Sequence, residues 1–287
     1  PWRAIAADLS GDIVFGNLEC PITTRGEKTP KTWNFRAPPK SLKVVKQAGF
    51  TVLNLANNHI WDYGQTGFLD TLKAVRKEGF LIVGAGMDRA EAESLRVVEQ
   101  GGLKIGFLGF TSAFPKEGWA KPGKPGVAYS DFGRLSAVIG KAREDCDLLV
   151  VSLHGGTELA AEPNEIQLAF GRVAVDAGAD IVLGHPPHVL QPVALYRGKP
   201  IIHSLGNFLF VSPNPLTRMT TIARIELASD GVRSIEFVPV DGNWGRLKLA
   251  APEDAQTVFN SLDGLGVLTQ HPDRFKVRGI TPAVPEP

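Results

Sequence analysis

Two cysteines in 287 residues, Cys20 and Cys146, are too few and too far apart for a disulfide framework or a cysteine-based zinc site. Nothing supports pairing them, so cysteine usage does not assign a redox compartment. An excess of charge of one sign is missing as well. Lys and Arg total 31 against 30 Asp and Glu, a formal net charge of +1, which gives no electrostatic case for nucleic acid or an acidic polymer as partner. No apolar run approaches the ~20 residues a membrane span needs. No signal peptide and no internal repeat is visible. The first residue is Pro1 rather than Met, and residues 2–9 read as the end of a helix already under way. The N-terminal part of a longer protein, with any anchor or leader, is therefore expected to precede it. What remains is ordinary for a globular protein with a real core: 43% hydrophobic and 21% charged, at a length that suits one large domain or two small ones.

Along the chain, apolar runs alternate with helical periodicity. Strands are expected at 12–18 and 51–56, with a loop-rich stretch at 21–38. Helices are expected at 39–48 and 65–78, the second with Phe68, Leu69, Leu72 and Val75 inward. Residues 95–99 and 104–110 read as a strand pair joined through Gly101-Gly102. Residues 115–126, rich in Gly, Pro and Lys, read as a surface loop suited to a lid. A helix capped by Asp131 should run to 143, followed by a fully buried strand at 147–153. The clearest helix is 163–177, with Pro163 in its first turn and Ile166, Ala169, Phe170, Val173 and Ala174 as its stripe. Strands follow at 180–183, 189–196 and 200–205, the last two joined by Arg197-Gly198. Residues 219–227 and 232–240 form a hairpin through Ser229-Asp230-Gly231. Past 250 the pattern weakens to one helix at 252–262 and a proline-rich end from 281 that reads as frayed.

Chemistry-bearing residues gather where the strands end. Asn17 and Glu19 follow the first strand. The stretch Asn57-Asn58-His59, with Asp62 and Gly64 behind it, follows the second. His154 closes the run at 148–153, with Glu158 four residues on. His185 follows 181–184, with His188 three later, and Asn207 follows the strand that carries His203. Open α/β sheets bring the C-terminal ends of their strands together, so Glu19, Asn58, His59, His154, His185 and His188 should converge. Imidazole, carboxylate and carboxamide without thiolate suit Mn, Zn or Fe. A pair of ions would need a bridging carboxylate, and Glu19 is the acidic residue placed for it. The two histidines of Gly184-His-Pro-Pro-His188 can offer one imidazole to each ion, or one to metal and one to substrate. Simpler roles exist for several neighbours. His203 reads as a core or supporting histidine and His271 as a surface residue. Glu158 reads as a cap for the next helix or as a group that orients His154, and Asp62 and Asn207 read as turn residues.

Six stretches taken together, DIVFGNLECPI at 12–22, LANNHIWDYG at 55–64, VGAG at 83–86, HGGTE at 154–158, GADIVLGHPPHVLQ at 178–191 and SLGNF at 204–208, resemble the CapA family in order and spacing. These are poly-γ-glutamate capsule biosynthesis proteins related to calcineurin-like metallophosphoesterases. The resemblance implies an α/β fold, a four-layer αββα sandwich, with a two-metal centre at one edge. It places Glu19 as bridging carboxylate and Asn58, His154, His185 and His188 as metal ligands. His59 becomes the phosphate-facing imidazole that protonates a leaving group, with Asn58 beside it in the catalytic set. Asn17, Asp62, Glu158 and Asn207 support them. Three departures stand out. The family's opening Gly-Asp motif, carried on a first strand, is not in these residues. Gly155 stands where many members have Trp, and His185-Pro-Pro-His188 replaces His-His-Pro-His.

By this resemblance residues 1–250 form a CapA-like domain lacking its first strand, and 251–287 a partly disordered extension. The implied activity is metal-dependent phosphoester hydrolysis in capsule or poly-γ-glutamate synthesis, with two divalent ions in the full-length protein. The implied partner is a phosphate-bearing small molecule or envelope polymer that approaches over the lysines of the 116–124 loop. The alternative is a non-catalytic, membrane-associated component working with synthase subunits. Either way the resemblance implies the cell envelope or its outer face.

Overall fold

The computed structural model describes residues 2–185, 187–211, 214, 217–242, 245–263, 268–271 and 274–277; Pro186 and the proline-rich end from 281 lie outside the described residues. The first part of the chain runs β1 Phe15–Asn17, α1 Ser41–Gln47, β2 Val52–Asn54, α2 Gly64–Lys77, β3 Leu81–Val83, β4 Ala85–Gly86 and α3 Arg89–Ala92. It continues with β5 Arg96–Gln100, β6 Leu103–Thr111, β7 Gly126–Val127, α4 Phe132–Arg143, β8 Leu148–His154, α5 Glu165–Asp176 and β9 Ile181–His185. The last part holds β10 Leu190–Tyr196, β11 Lys199–Leu205, β12 Met219–Ala228, β13 Gly231–Asp241, β14 Lys248–Leu249, α6 Pro252–Leu262, β15 Leu268–His271 and β16 Arg274–Val277.

Alternation along the strands explains the layering, because successive side chains on a strand point to opposite faces. Val52 and Val83 face a central core, while Leu53 and Ile82 face α1 and α2 through Leu42, Phe68, Leu72 and Val75. In the same way Ile105, Phe107, Val150, Ile181 and Leu183 face the centre. Leu108, Phe110, Leu149, Val151 and Val182 face α4 and α5 through Leu135, Ile139, Phe170 and Ala174. The order is helices, the parallel sheet β1-β2-β3, the six-stranded sheet β10-β11-β9-β8-β6-β5, helices. This is the expected αββα order. A third sheet, β12-β13-β16-β15, adds Val232, Ile235 and Phe237 to the central core. The helix α6 and strand β15 of the tail from 251 add Val258, Leu262 and Leu268 to it.

Register then aligns the strand ends. Asn17 pairs with Asn54 and Asn54 with Val83 in the first sheet. Thr111 pairs with His154 and His154 with His185 in the second.

Several expectations need correction. The strands β1 and β2 are three residues each, and the amides of Asn17 and Asn54 bond to one another at their ends. Residues 2–9 make a single 3-10 turn, Arg3–Ile5, with Ile5 packed on Val240 and Leu247. Helix α5 begins at Glu165, and Asn164 rather than Pro163 opens it through a reciprocal capping box with Gln167. Its buried face is Gln167, Phe170, Gly171, Ala174 and Val175, while Ile166 is 46% exposed. The buried Gln167 is tolerated because its Nε2 donates to Gln191 Oε1 at 2.8 Å. The 115–126 stretch is pinned rather than free: Trp119 stacks on Tyr129 at 3.7 Å and bridges to Val127.

His203 is a buried core histidine, 4% exposed on β11, and burial pushes its imidazole down from 6.5 to about 4. The native state therefore keeps it neutral while the unfolded chain takes a proton. Its contribution to stability is complete above pH 6.5 and is lost as pH falls from 6.5 towards 4. Urea unfolding at pH 7 and pH 5 checks this. His203→Gln should reduce the loss of stability between the two by up to about 2 kcal/mol, and an unchanged loss would refute the assignment.

Candidate functional site

The carboxamide of Asn17, at the end of β1, joins the two sheets. Its Oδ1 accepts from Asn54 Nδ2 at 3.0 Å and from Asn57 Nδ2 at 3.2 Å. Its Nδ2 donates to Glu19 Oε2 at 3.0 Å and lies 3.4 Å from His154 Nδ1, across in the second sheet. Asn54 needs close backbone on its far side. A Cβ on Gly109 would lie 2.2 Å from its Oδ1, and one on Gly84 would lie 2.9 Å from it. This accounts for the first glycine of the stretch at 83–86.

The loop after β2 is shaped from within. Asn57, 3% exposed, donates to Leu18 O and accepts from the backbone N–H groups of His59 and Ile60, an Asx turn. Gly64 follows at φ 60°. Asp62 closes the turn through its N–H to His59 O at 3.1 Å, and its side chain has a further role. It is wholly buried, and its Oδ2 lies 2.7 Å from His59 Nδ1 and accepts from Phe35 N at 2.6 Å. Its Oδ1 lies 2.5 Å from Lys31 Nζ. Asp62 is thus the carboxylate that orients His59, and it leaves Nε2 as that ring's other nitrogen. The Phe35 ring packs on His59 at 4.4 Å and meets Phe210 edge-on at 5.5 Å.

His154 is wholly buried at the end of β8. Its Nε2 lies 3.0 Å from Asn58 Oδ1 and 3.8 Å from Glu19 Oε1. Burial first, then the neighbouring His185, His188 and His59 and the Lys31 ammonium, push its pKa well below the usual imidazole range. Burial alone pushes His185 down to about 4. Glu19 is pushed up to about 8 by burial first, then by the charges of Glu158 and Asp62; Lys31 and the Asn17 bond act the other way. Besides Asp62 Oδ1, whose partner is the Lys31 ion pair, two buried lone-pair atoms here have no hydrogen-bond partner, Glu19 Oε1 and His185 Nε2. Each carries the desolvation cost of an unmet polar group, about 1–3 kcal/mol.

Donors around one ion at ~2.0–2.2 Å are separated by roughly 3–4 Å. The spacings of His154 Nε2 to Glu19 Oε1 and to Asn58 Oδ1 fall in that range. The unmet oxygen of Glu19 also suits a divalent cation, and ligation through His154 Nε2 would need that ring's proton moved from the Asn58 side. Asn58 has to complete this shell, for among the described residues no three His, Cys, Asp or Glu side chains come close enough to hold an ion. His185 and His188 line a cleft of about 1300 Å³ together with Glu19, Phe35 and Asn207, over a floor that includes Phe107, Ile181 and Leu183. His188 sits at φ 61° with its Nδ1 2.8 Å from Asn207 Oδ1, so Asn207 orients His188. Glu158 is exposed and has neither expected contact: Asn164 caps α5, and Asn17 and Asn58 hold His154. Two of the three lysines of the 116–124 loop are engaged locally. Lys124 Nζ donates to Glu117 O and Lys116 lies over Phe114 and Trp119. Lys31, Phe35, Asn54 and Phe210 join the site without having stood out in the sequence. Of these only Asn54 carries a signal, as a polar residue inside an apolar run.

Residues 1–212 match the sequence profile of the family described as bacterial capsule synthesis protein PGA_cap. The PGA biosynthesis protein CapA of Bacillus subtilis (strain 168) is 38% identical over 235 residues, 81% of this chain and 62% of that one. The capsule biosynthesis protein CapA of Bacillus anthracis is 35% identical over 262 residues, 88% of this chain and 64% of that one. The chain therefore spans less than two thirds of the length of these two curated relatives. A solved 5′-nucleotidase precursor from Thermus thermophilus is 14% identical with a TM-score of 0.46, over 78% of this chain and 45% of that one.

If Asn17 is the joint between the sheets, removing its amide leaves Asn54 and Asn57 with unmet donors. Asn17→Ala should lower the unfolding free energy by about 1–3 kcal/mol in urea titrations. A change under about 0.5 kcal/mol, the range of an ordinary surface substitution, would show that the joint contributes nothing to stability.

Proposed function

The chain belongs to the family of bacterial capsule synthesis proteins, and on that premise we propose that the protein it forms part of is a metal-dependent phosphoesterase in the synthesis of a capsule polymer of the polyglutamate kind. The names of its relatives, PGA and capsule biosynthesis proteins, support the polymer and a place at the cell envelope. Among the described residues no helix is long and apolar enough to cross a membrane. One observation carries the chemistry: Glu19 Oε1 and Asn58 Oδ1 each stand at a ligand spacing from His154 Nε2, and Asn58 adjoins His59, whose imidazole is held by a buried carboxylate.

Glu19, His154 and Asn58 would hold the cation, with His185 and His188 on the cleft wall as donors towards a second. Mn, Zn or Fe suits this oxygen and nitrogen set. A divalent cation there supplies Lewis acidity towards a phosphoryl oxygen. The chain's own residues do the rest. Asn17 fixes the Glu19 carboxyl and His154 in one frame. Asp62 holds His59 through Nδ1, so that a proton carried on Nε2 can pass to the leaving oxygen of a phosphoester. Phe35 and Phe210 close one side of the cleft and keep water from His59. The substrate class is a phosphate-bearing small molecule or envelope polymer.

A second reading, a non-catalytic component of a membrane synthase complex, is favoured by the absence of three closely grouped His, Cys, Asp or Glu donors among the described residues. Metal content and turnover of the full-length protein separate the two. The enzyme should contain about two ions per chain by elemental analysis and hydrolyse a generic phosphomonoester or phosphodiester. Glu19→Ala and His154→Ala should each cost more than the 10–100-fold typical of residues that merely support a metal ligand. Turnover unchanged in Glu19→Ala would overturn the enzyme reading. A metal-free protein whose polymer output ignores chelator would establish the scaffold.

A further inference from the structure

The stretch 21–38 reads as loop in the sequence, yet it delivers an ammonium into the centre of the site. Lys31 Nζ donates to Asn58 O at 3.0 Å, lies 2.5 Å from Asp62 Oδ1 and stands 3.1 Å from His59 Nδ1. Its side chain is 25% exposed. A lysine on a loop ordinarily keeps its head in water; this one gives up most of that hydration for three groups distant in the chain.

The loop around it is fastened at both ends. Asn34 Nδ2 donates to Thr29 O and to Lys31 O, Thr29 N donates to Asp62 O, and Phe35 N donates to Asp62 Oδ2. Asp62 is the common partner. Its wholly buried carboxylate carries two bonds on Oδ2, and the cation on Oδ1 is Lys31. A buried carboxylate without a cation is costly, and removing one member of such a pair leaves the other stranded. The ammonium has three N–H groups. Asn58 O takes one and Asp62 Oδ1 pairs with the charge, while His59 Nδ1, which donates its own proton to Asp62, accepts none.

We propose that Lys31 is a positioning residue of this site. It locks the Asp62 carboxylate and the Asn58 backbone to one point, so that Asp62 holds His59 and the Asn58 side chain faces His154. The proposal rests on the hydrolytic reading for its kinetic arm only.

Two measurements on the full-length protein test it. In 15N-edited proton spectra the His59 Nδ1–H bonded to Asp62 should give a downfield, exchange-protected signal that disappears in His59→Gln. Lys31→Met should abolish that signal while the backbone amide spectrum stays dispersed, and Lys31→Arg, which keeps a donor cation, should retain it. In kinetics, Lys31→Met should lower kcat by about 10–100-fold with KM within about twofold, and Lys31→Arg should recover most of the loss. The double variant Lys31→Met/Asp62→Asn should be no slower than the slower single variant, since both act through one unit. A persisting His59 signal in Lys31→Met, additive losses in the double variant, or a raised KM with kcat intact would each overturn the proposal. A wild-type protein without turnover would refute the hydrolytic reading alone, because the spectra still decide what Lys31 does.

Discussion

Everything in this site depends on a few carboxamide bonds made where two sheets end. Parallel strands leave their last residues with side chains but no further ladder. In this protein those residues are Asn17 and Asn54 on one sheet and His154 and His185 on the other. Asn17 donates and accepts at once, which neither a carboxylate nor a hydrocarbon could do, and so it reaches a carboxylate, two further amides and an imidazole. The apolar faces on either side hold the sheets together, but they fix no angle between Glu19 and His154. The directional bonds do. A core that is sound without them would still lack the spacing on which the proposed chemistry rests.

The electrostatics favour an added positive charge. Glu19 is raised to about 8, with burial the largest cause and the charges of Glu158 and Asp62 next. His154 and His185 are held neutral by burial. A raised carboxyl pKa and lowered imidazole pKa values are what burial imposes on one mutually close set of ionisable groups. Bringing a divalent cation among Glu19, His154 and Asn58 would reverse the preference at Glu19 and leave the imidazoles in the neutral form that ligation requires. The ammonium of Lys31 is engaged by Asp62 and cannot serve Glu19 in the same way. The neighbouring imidazole His59 is likewise tied to Asp62, so the proposed acid function and the proposed ion-holding function rest on different carboxylates.

Much of this is legible in the sequence, and for a physical reason. Each site residue follows an apolar run directly, and a run that stops at polar residues capable of ligation marks a strand end in an α/β sheet. Convergence of Glu19, Asn58, His59 and His154 needs only the assumption that parallel strands align. The alternation that gives the αββα order is written residue by residue in β2, β3, β6, β8 and β9. Sequence reading fails where a polar residue is satisfied by a partner distant in the chain. Hydrophobic periodicity puts helix α5 half a face out, because Gln167 and Gly171 are buried and Ile166 is not. Counting hydrophobic residues cannot see that Gln191 waits further along the chain. Asp62 reads as a turn former alone because two of its partners, Lys31 and the Phe35 amide, come from a loop that has no periodicity to read.

Asn54 and Lys31 show the two ends of that difficulty. A buried asparagine inside an apolar run must be satisfied somewhere. Its presence in the run 51–56 therefore announces a polar partner at the same depth, and the partner is Asn17. A lysine in a loop announces nothing, since water satisfies it at no cost to the fold. The inference has to run from the other side. Asp62 is wholly buried in the structure, and a buried carboxylate requires a cation. His59 alone meets one of its oxygens, and the second must be met from outside the 57–64 loop. Reading the demand of the buried acid, rather than the signal of the base, is what leads to Lys31, and it applies wherever a loop closes over a site whose carboxylate count exceeds the cations visible beside it.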